Sequence, residues 1–254
     1  MAFFIGCQSI TFGEMHNEDI VGVLDAVAAA GYDGVEMGFF RLDRDKGPRY
    51  KEMLDERGLR LTALHVGGNI FEEASQREQM ESIDAVIHLA RQMGGEFIFI
   101  SGIRCETRRD FINQAAMYDK LGAATRDSGL ILCYHNHDWE IRNGFAGLDI
   151  LLEKTCPDNM SLVLDVGWVA QAGGDPAAAV TGYASRLRNV HFKEFTAQGG
   201  FSELGTGVVD FYGVWEALKT SHKDMWIVAE QDSSVKGAFL SVRENYEYIR
   251  KLII

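Results

Sequence analysis

Short apolar segments alternate with longer amphipathic segments eight times along the chain, and this alternation constrains the fold more than any other feature. The apolar segments are rich in β-branched and aromatic residues, as buried parallel strands are. They lie at 3–9, 34–37, 61–66, 97–101, 131–135, 162–166, 189–194 and 225–230. The segments between them have helical spacing of apolar residues, and Asn17 is predicted to cap the first helix, which Gly31 ends. The other helices are predicted near 44–57, 75–93, 107–127, 147–155, 175–185, 210–221 and 237–252.

Eight such strand and helix pairs predict a parallel sheet covered by helices. At 254 residues, a closed (β/α)8 TIM barrel is the natural solution. No Pro- or Ser-rich linker divides the chain, so residues 1–254 are predicted to form a single domain. A doubly wound open sheet is the competing architecture, but the first turn, CQSITFGE, lacks the GxGxxG of a dinucleotide site, and no GxxxxGK[ST] occurs.

Polar side chains stand at the ends of most predicted strands, and in a barrel these ends open onto one face. They are Glu36, His65, His135, His137, Asp165, His191, Lys193 and Glu230. Any one of them could be an ordinary hydrogen-bonded residue at a strand end. Three carboxylates and four imidazoles gathered in one mouth would be costly to desolvate unless a ligand compensated them.

A bound divalent metal ion is predicted to compensate the cost of desolvating these side chains. The expected ligands combine imidazoles and carboxylates: His135, Asp165, His191 and Glu230. This mixture suits Mn²⁺, Zn²⁺, Co²⁺ or Fe²⁺ better than Ca²⁺ or Mg²⁺. His137 lies two residues beyond His135 and therefore faces the same side, as a candidate general acid or base. Lys193 shares a side with His191, where its ammonium group could stabilise an oxyanion or hold a substrate hydroxyl.

Further residues near the strand ends are predicted to contact substrate. They are Glu36, His65, Trp168 and Glu140. Trp139 and Trp168 suit an aromatic wall for a sugar ring, with core packing as the equal alternative. Glu140 and Arg142 either contact substrate or pair with each other.

Two weaker patterns complete the candidate residues. The glycine-rich turn 203–207 could place backbone amides near a substrate or phosphate. His16, His88 and His222 are predicted to be surface groups, because they lie in helices or at helix starts.

The composition of the chain restricts the classes of partner that it can bind. The net charge of −12 repels phosphate backbones and anionic membrane surfaces, which disfavours nucleic acid and membranes as partners. The four cysteines are far apart and form no CxxC, as expected for a reducing cytoplasmic compartment. The apolar run near residue 3 is too short for a membrane span and lacks the basic residues of a signal peptide. The sequence is also compatible with assembly into a homo-oligomer.

Several segments together resemble the xylose isomerase-like TIM-barrel superfamily, the sugar phosphate isomerase/epimerase group. They are GYDGVEM, YHNHDWE, LDVGWVAQAGGDP, VHFKEF, ELGTGVVDF and WIVAEQD, and they cover the chain essentially end to end. The resemblance places the metal ligand that follows strand five, usually Glu, on His135. It places the other three ligands on Asp165, His191 and Glu230, and it matches His137 to a position that is catalytic in dehydratase members.

The resemblance implies metal-assisted proton abstraction next to a carbonyl, through an enediolate, on a small sugar or keto-polyol. Glu230 and His137 are the candidate bases, with Lys193 as electrostatic partner. Returning the proton elsewhere gives an isomerase or epimerase, which is the first expectation. Expelling a hydroxyl gives a dehydratase of the inosose dehydratase type, an alternative favoured by His135, because epimerases use two carboxylates. A non-catalytic sugar-binding barrel is the third reading.

Overall fold

A computed structural model describes residues 2–72, 74–220 and 223–254 and contains a closed barrel of eight parallel strands. We number the barrel strands β1 Phe3–Gln8, β2 Gly34–Gly38, β3 Arg60–Gly67, β4 Phe97–Ser101, β5 Ile131–His135, β6 Ser161–Asp165, β7 Leu187–Phe192 and β8 Met225–Ala229. Each strand pairs with its neighbours in sequence, and β1 pairs with both β2 and β8, which closes the sheet. The predicted single-domain TIM barrel is confirmed.

In the described part of the chain, eight helices follow the strands in turn. They are α1 Ile20–Ala30, α2 Gly47–Asp55, α3 Gln76–Gln92, α4 Arg108–Asp127, α5 Ala146–Glu153, α6 Pro176–Gly182, α7 Phe211–Leu218 and α8 Ala238–Ile253. Within the described ranges, none of these helices has the length and apolar character needed to cross a lipid bilayer.

The loops that follow the strands carry most of the remaining structure. Short α-helices occupy Met15–Glu18, Asp138–Ile141 and Val166–Gln171, and 3-10 turns occupy Ser9–Phe12, Phe39–Arg41, Arg44–Lys46 and Gly68–Phe71. Two-residue strands, Glu194–Phe195 and Phe201–Ser202, pair antiparallel after β7. Because these segments follow the strands, they build the rim of the barrel at the carboxyl ends of the strands, which we call the mouth.

The start of α1 differs from its prediction. Asp19 caps the helix, since its carboxylate accepts a hydrogen bond of 2.9 Å from the backbone N–H of Gly22. The cap predicted at Asn17 is therefore wrong. Asn17 lies in the short helix before α1, and its amide donates to Glu14. The predicted stop at Gly31 is confirmed by its left-handed backbone, with φ of 104°.

The core has two parts. The larger part lies between the barrel and its helices. A smaller cluster consists only of strand residues and fills the barrel interior: Ala63, Phe97, Phe99, Cys133, Val163, Trp226 and Val228. Along β8, Trp226 and Val228 are two residues apart, so the same side of the strand faces the interior at both positions. Continued by two residues, this inward series reaches Glu230.

Candidate metal centre

On several strands, the alternate residues that face the barrel interior end with a polar side chain at the mouth. Cys133 precedes His135 by two residues on β5, and Val163 precedes Asp165 in the same way on β6. The series thus places the predicted site residues directly above the apolar interior cluster. The barrel geometry, rather than any local motif, gathers them.

The four predicted metal ligands come together. One donor atom from each of His135, Asp165, His191 and Glu230 lies within 4.8 Å of the others, and all four residues are buried. His135 Nε2 is 3.4 Å from Asp165 Oδ2 and 3.4 Å from Glu230 Oε2. His191 Nδ1 is 2.5 Å from Glu230 Oε2. This cluster could hold a metal ion.

Two atoms of the cluster support that reading. His135 Nε2 and Asp165 Oδ2 are buried and have no hydrogen-bond partner among the residues that the structure describes. The other oxygen of Asp165, Oδ1, accepts from the backbone N–H of Trp168 at 2.9 Å. Since buried polar atoms are normally paired, the two orphaned atoms fit the donor set of a divalent cation.

The charges of the cluster point the same way. Burial lowers the pKa of His191, but the carboxylates of Glu36 and Glu230 outweigh burial and raise the pKa to about 10. Burial would raise the pKa of Glu230, but Lys193 and His191 hold it well below its usual range. Protons therefore balance the carboxylates, and a cation bound at the cluster would displace them.

Glu36 stands behind the cluster and orients two histidines. Its carboxylate accepts from His191 Nε2 at 2.7 Å, from His65 Nδ1 at 2.5 Å and from Gln8 Nε2 at 2.6 Å. Burial would raise the pKa of Glu36, but His191 and His65 hold it at about 2. Because an ionised carboxylate only accepts, His191 donates through Nε2 and turns Nδ1 toward Glu230.

The substrate contact predicted for Glu36 stays a prediction. Its side chain is fully buried, and its position behind His191 favours an orienting role.

A cleft of about 250 Å³ opens above the cluster. Its wall includes six of the predicted site residues: His65, His135, His137, Trp168, Lys193 and Glu230. Sequence reasoning missed Gln8, Ser101 and Asp232, which also line it. Gln8 and Ser101 end β1 and β4 and could have been found from the alternation that selected the other strand-end residues. Asp232 lies beyond β8, where no alternation applies.

Lys193 is a buried cation on the cleft wall. Its Nζ lies 3.0 Å from Glu230 Oε1 and 2.7 Å from Asp232 Oδ2. The ammonium group also lies 5.0 Å from the centre of the Trp168 ring. Burial lowers the pKa of Lys193, but Glu230 and Asp165 more than offset burial and raise it, so the side chain stays charged.

His137 is a neutral imidazole held between two tryptophans. Its ring stacks on Trp139 with centroids 4.2 Å apart and lies 5.6 Å from Trp168. Burial, together with the nearby charges of His135 and Lys193, lowers the pKa of His137 to about 2. Trp168 lines the cleft, whereas Trp139 supports His137 from behind. Of the two tryptophans predicted to form an aromatic wall, only Trp168 therefore faces the cleft.

Glu140 lies beneath His137. Its carboxylate accepts from the Tyr134 hydroxyl at 2.5 Å and from the backbone N–H of His137 at 2.8 Å. Burial raises the pKa of Glu140 to about 7. Arg142 pairs with Asp138, so the alternative of a Glu140–Arg142 pair is wrong. Glu140 is fully buried, and the substrate contact predicted for it stays a prediction.

The amides of the glycine-rich turn 203–207 and of the residues after it have an internal partner. Glu194 accepts from the backbone N–H groups of Gly205, Val208 and Val209. These amides thus serve a carboxylate of the protein itself.

The three histidines predicted to lie on the surface differ in outcome. The prediction is wrong for His16, which is only 1% exposed. It is confirmed for His88, which is exposed on α3. His222 lies outside the described residues.

A side-chain clamp joins the ends of β5 and β6. The Asn136 amide donates to the backbone oxygen of Asp165 at 3.2 Å, and its oxygen accepts from the backbone N–H of Asp165 at 2.9 Å. The two bonds continue the strand pairing by one step through a side chain. They fix the position of Asp165 relative to the residue that follows His135.

Comparisons with known proteins agree with this architecture. Residues 24–252 match the model of a family described as xylose isomerase-like TIM barrel. The chain is 26% identical over 255 residues to an inosose dehydratase of Lacticaseibacillus casei, with 85% of this chain and 84% of that protein covered. A sugar phosphate isomerase/epimerase from Parabacteroides distasonis ATCC 8503 has a similar structure, with a TM-score of 0.81, 20% identity and coverage of 98% of this chain and 94% of that chain. The IOLI protein, solved with a bound zinc atom, is also similar, with a TM-score of 0.82, 13% identity and coverage of 98% of each chain.

Proposed function

Because this chain belongs to the xylose isomerase-like TIM-barrel family, we propose that it is a metal-dependent dehydratase acting on a sugar or keto-polyol. The enzyme removes a proton from the carbon next to a carbonyl and expels a hydroxyl from the following carbon as water. This reverses the order of the two enzymatic expectations drawn from the sequence. The similarity to an inosose dehydratase over most of both chains supports the change.

The observation that carries the proposal is the chemical difference between the two proton-handling groups of the cleft. His137 and Lys193 both line the cleft, where an imidazole can accept a proton and an ammonium group can donate one or stabilise a negative oxygen. An elimination needs these two unlike roles. Epimerisation by a pair of carboxylates would require a second carboxylate at strand five, where this chain has His135.

The four clustered residues would hold the cofactor, and the proposed ions are Mn²⁺, Zn²⁺, Co²⁺ and Fe²⁺. A divalent ion there would polarise the substrate carbonyl and make the adjacent C–H bond more acidic. His137 then takes the proton from carbon, and the electrons of that bond form the new double bond. The C–O electrons leave with the hydroxyl, which Lys193 protonates to give water. Glu230 is the alternative base, and its Oε1 lies 3.0 Å from the ammonium nitrogen of Lys193.

The similarity to a sugar phosphate isomerase/epimerase keeps isomerisation as the second candidate function. The two reactions share the first proton removal and differ in the step after it. Dehydration gives a product lighter by one water, whereas isomerisation returns the proton and leaves the mass unchanged. A non-catalytic sugar-binding barrel would do neither.

One experiment separates the three outcomes. Metal-loaded protein is incubated with an inosose in deuterated water and followed by NMR and mass spectrometry. We expect loss of water and loss of the signal of the proton next to the carbonyl. Deuterium in a product of unchanged formula would establish the isomerase instead, and binding without either change would establish a sugar-binding protein. Chelator-treated protein and a His88→Gln variant, altered only at an exposed histidine, are the controls.

A further inference from the structure

Three residues at successive strand ends form a hydrogen-bonded chain that the proposed reaction does not yet use. Ser101, at the end of β4, has its Oγ 2.6 Å from His65 Nε2. His65, on β3, has its Nδ1 2.5 Å from Glu36 Oε1 on β2. Ser101 and His65 both line the cleft, and Glu36 is fully buried behind them.

The direction of these hydrogen bonds is set by Glu36. Its carboxylate also accepts from Gln8 and His191, so it acts only as an acceptor. His65 Nδ1 must therefore donate to it, and Nε2 is the ring nitrogen that remains to accept the hydroxyl hydrogen of Ser101. The lone pairs of Ser101 Oγ then remain for a donor in the cleft. The same order of serine, histidine and carboxylate activates serine oxygens in enzymes of unrelated folds.

The strand order places this chain relative to the other proton-handling groups. In a closed barrel of eight strands, β3 lies opposite β7, and β4 lies opposite β8. Ser101 and His65 therefore stand across the cleft from Lys193 and Asp232, which come after β7 and β8. A substrate in the cleft lies between the two groups.

We infer that Ser101, relayed by His65, is a second proton-transfer site that acts on a hydroxyl of the substrate. The inference rests on the proposed function, since it requires a polyol in the cleft. The hydrogen of the substrate hydroxyl moves to Ser101 Oγ, and the hydrogen already on Oγ moves to His65 Nε2. The substrate oxygen keeps the electron pair of its O–H bond. His65 becomes an imidazolium ion paired with the Glu36 carboxylate, and the same path run backwards returns the proton.

The proposed reaction supplies a use for such a group. In a polyol ketone, the carbon that loses its proton also carries a hydroxyl, so elimination of water leaves an enol. Conversion of the enol to the ketone requires removal of that hydroxyl proton and addition of a proton to carbon. A base on the wall opposite Lys193 serves the first of these steps. Ser101 is therefore a catalytic residue of the second half of the reaction, and His65 acts through it.

Covalent labelling tests the relay without any substrate. Metal-loaded protein is treated with methanesulfonyl fluoride, and modified serines are located by mass spectrometry. Ser128, at the end of α4 and half-buried like Ser101, is the matched control within the same molecule. We expect Ser101 to react at least about tenfold faster than Ser128, and a His65→Gln variant to lose most of this difference. Equal rates at the two serines, or a rate at Ser101 unchanged by His65→Gln, would overturn the relay.

A second measurement links the relay to turnover. With an inosose as probe, Ser101→Ala should keep proton exchange next to the carbonyl while the formation of the diketone product slows by about 10²-fold or more. Ser101→Thr, which keeps the hydroxyl, should restore part of the rate. If Ser101→Ala slows neither step, the relay is wrong. If the wild-type protein itself catalyses neither step, the proposed function fails, and the labelling result still decides whether Ser101 is activated.

Discussion

The two ends of the barrel are built from the same strands and differ in what they bury. At the amino-terminal end, which we call the closed end, Trp226 and Phe4 pack together, and the Arg60 guanidinium lies 4.0 Å from the centre of the Phe4 ring and 4.5 Å from that of Trp226. At the mouth, the same strands end in carboxylates, imidazoles and an ammonium group, and three buried side-chain atoms of the candidate metal cluster lack a hydrogen-bond partner within the described ranges. The strand β8 alone shows this contrast between apolar and charged ends, since Trp226 lies near its start and Glu230 follows its last residue.

This difference separates stability from chemistry. Apolar packing at the closed end stabilises the fold, because buried aromatic side chains contribute several kcal/mol each. Buried charges at the mouth cost desolvation free energy, so each of them depends on its oppositely charged partners. Substitutions at the closed end should therefore change unfolding alone, whereas substitutions at the mouth should also change ion binding and reaction rate.

The largest expected effect is at the mouth. Glu230→Gln removes a charged ligand and a candidate base, so proton exchange on an inosose should fall by about 10²–10⁴-fold. The free energy of unfolding of the ion-free protein, measured in urea, should fall by about 3–5 kcal/mol, because the amide leaves Lys193 and His191 buried without their carboxylate partner. Glu216→Gln, at an exposed position on α7, is the control. If the variant retains proton exchange, Glu230 is neither a required metal ligand nor the base.

At the closed end, Trp226→Ala should lower the free energy of unfolding by about 3–5 kcal/mol, because it empties part of the barrel interior. Ion affinity of the folded variant, measured by calorimetry, should change by less than about twofold, since the site lies at the other end. If Trp226→Ala instead lost much of its ion affinity and little of its free energy of unfolding, the contrast drawn between the two ends of the barrel would be wrong.

A smaller effect is expected one step behind the ligands. Glu36→Gln replaces an acceptor of three N–H groups by an amide that must also donate, so His191 loses its fixed orientation. Ion affinity should fall by about 10–100-fold. Asp55→Asn, an exposed carboxylate of α2, should leave affinity unchanged. An affinity equal to wild type in Glu36→Gln would show that Glu36 does not orient the cluster.

The smallest effect concerns pH. Burial, aided by the charge of Arg41, lowers the pKa of His16 from 6.5 to about 4 in the folded protein. The unfolded chain therefore binds more protons between these values, and stability falls as pH drops through about 6.5 toward 4. At a pH of about 5.5 the loss is about 1.2 kcal/mol relative to neutral pH. His16→Phe should remove this part of the acid sensitivity in urea titrations, whereas His88→Gln should not.

Much of this arrangement is encoded by two periodicities in the sequence. The alternation of strands and helices predicts the barrel, and the period of two within each strand carries Cys133 to His135 and Val163 to Asp165. These predictions succeed because they depend on backbone geometry alone. The clustering of His135, Asp165, His191 and Glu230 is therefore predictable without any knowledge of side-chain positions.

The depth of a side chain within the mouth is not predictable in this way. Glu36 and His65 have equivalent places at strand ends, yet only His65 reaches the cleft, because the stagger between strands sets the height of each residue. His16 looks like a surface residue of a short helix, yet it is buried, and no periodicity in the sequence predicts this. The choice between Asn17 and Asp19 as cap depended on the short helix that precedes α1.

The Asn136 clamp has a consequence for how such a site can change. Because the clamp is formed by the neighbour of His135 and by the main chain of Asp165, it does not depend on which side chain stands at position 135. A replacement there would exchange nitrogen for oxygen at the ion while its anchor stays in place. A change of one codon at position 135 would therefore alter a residue of the candidate metal centre without rebuilding the frame around it.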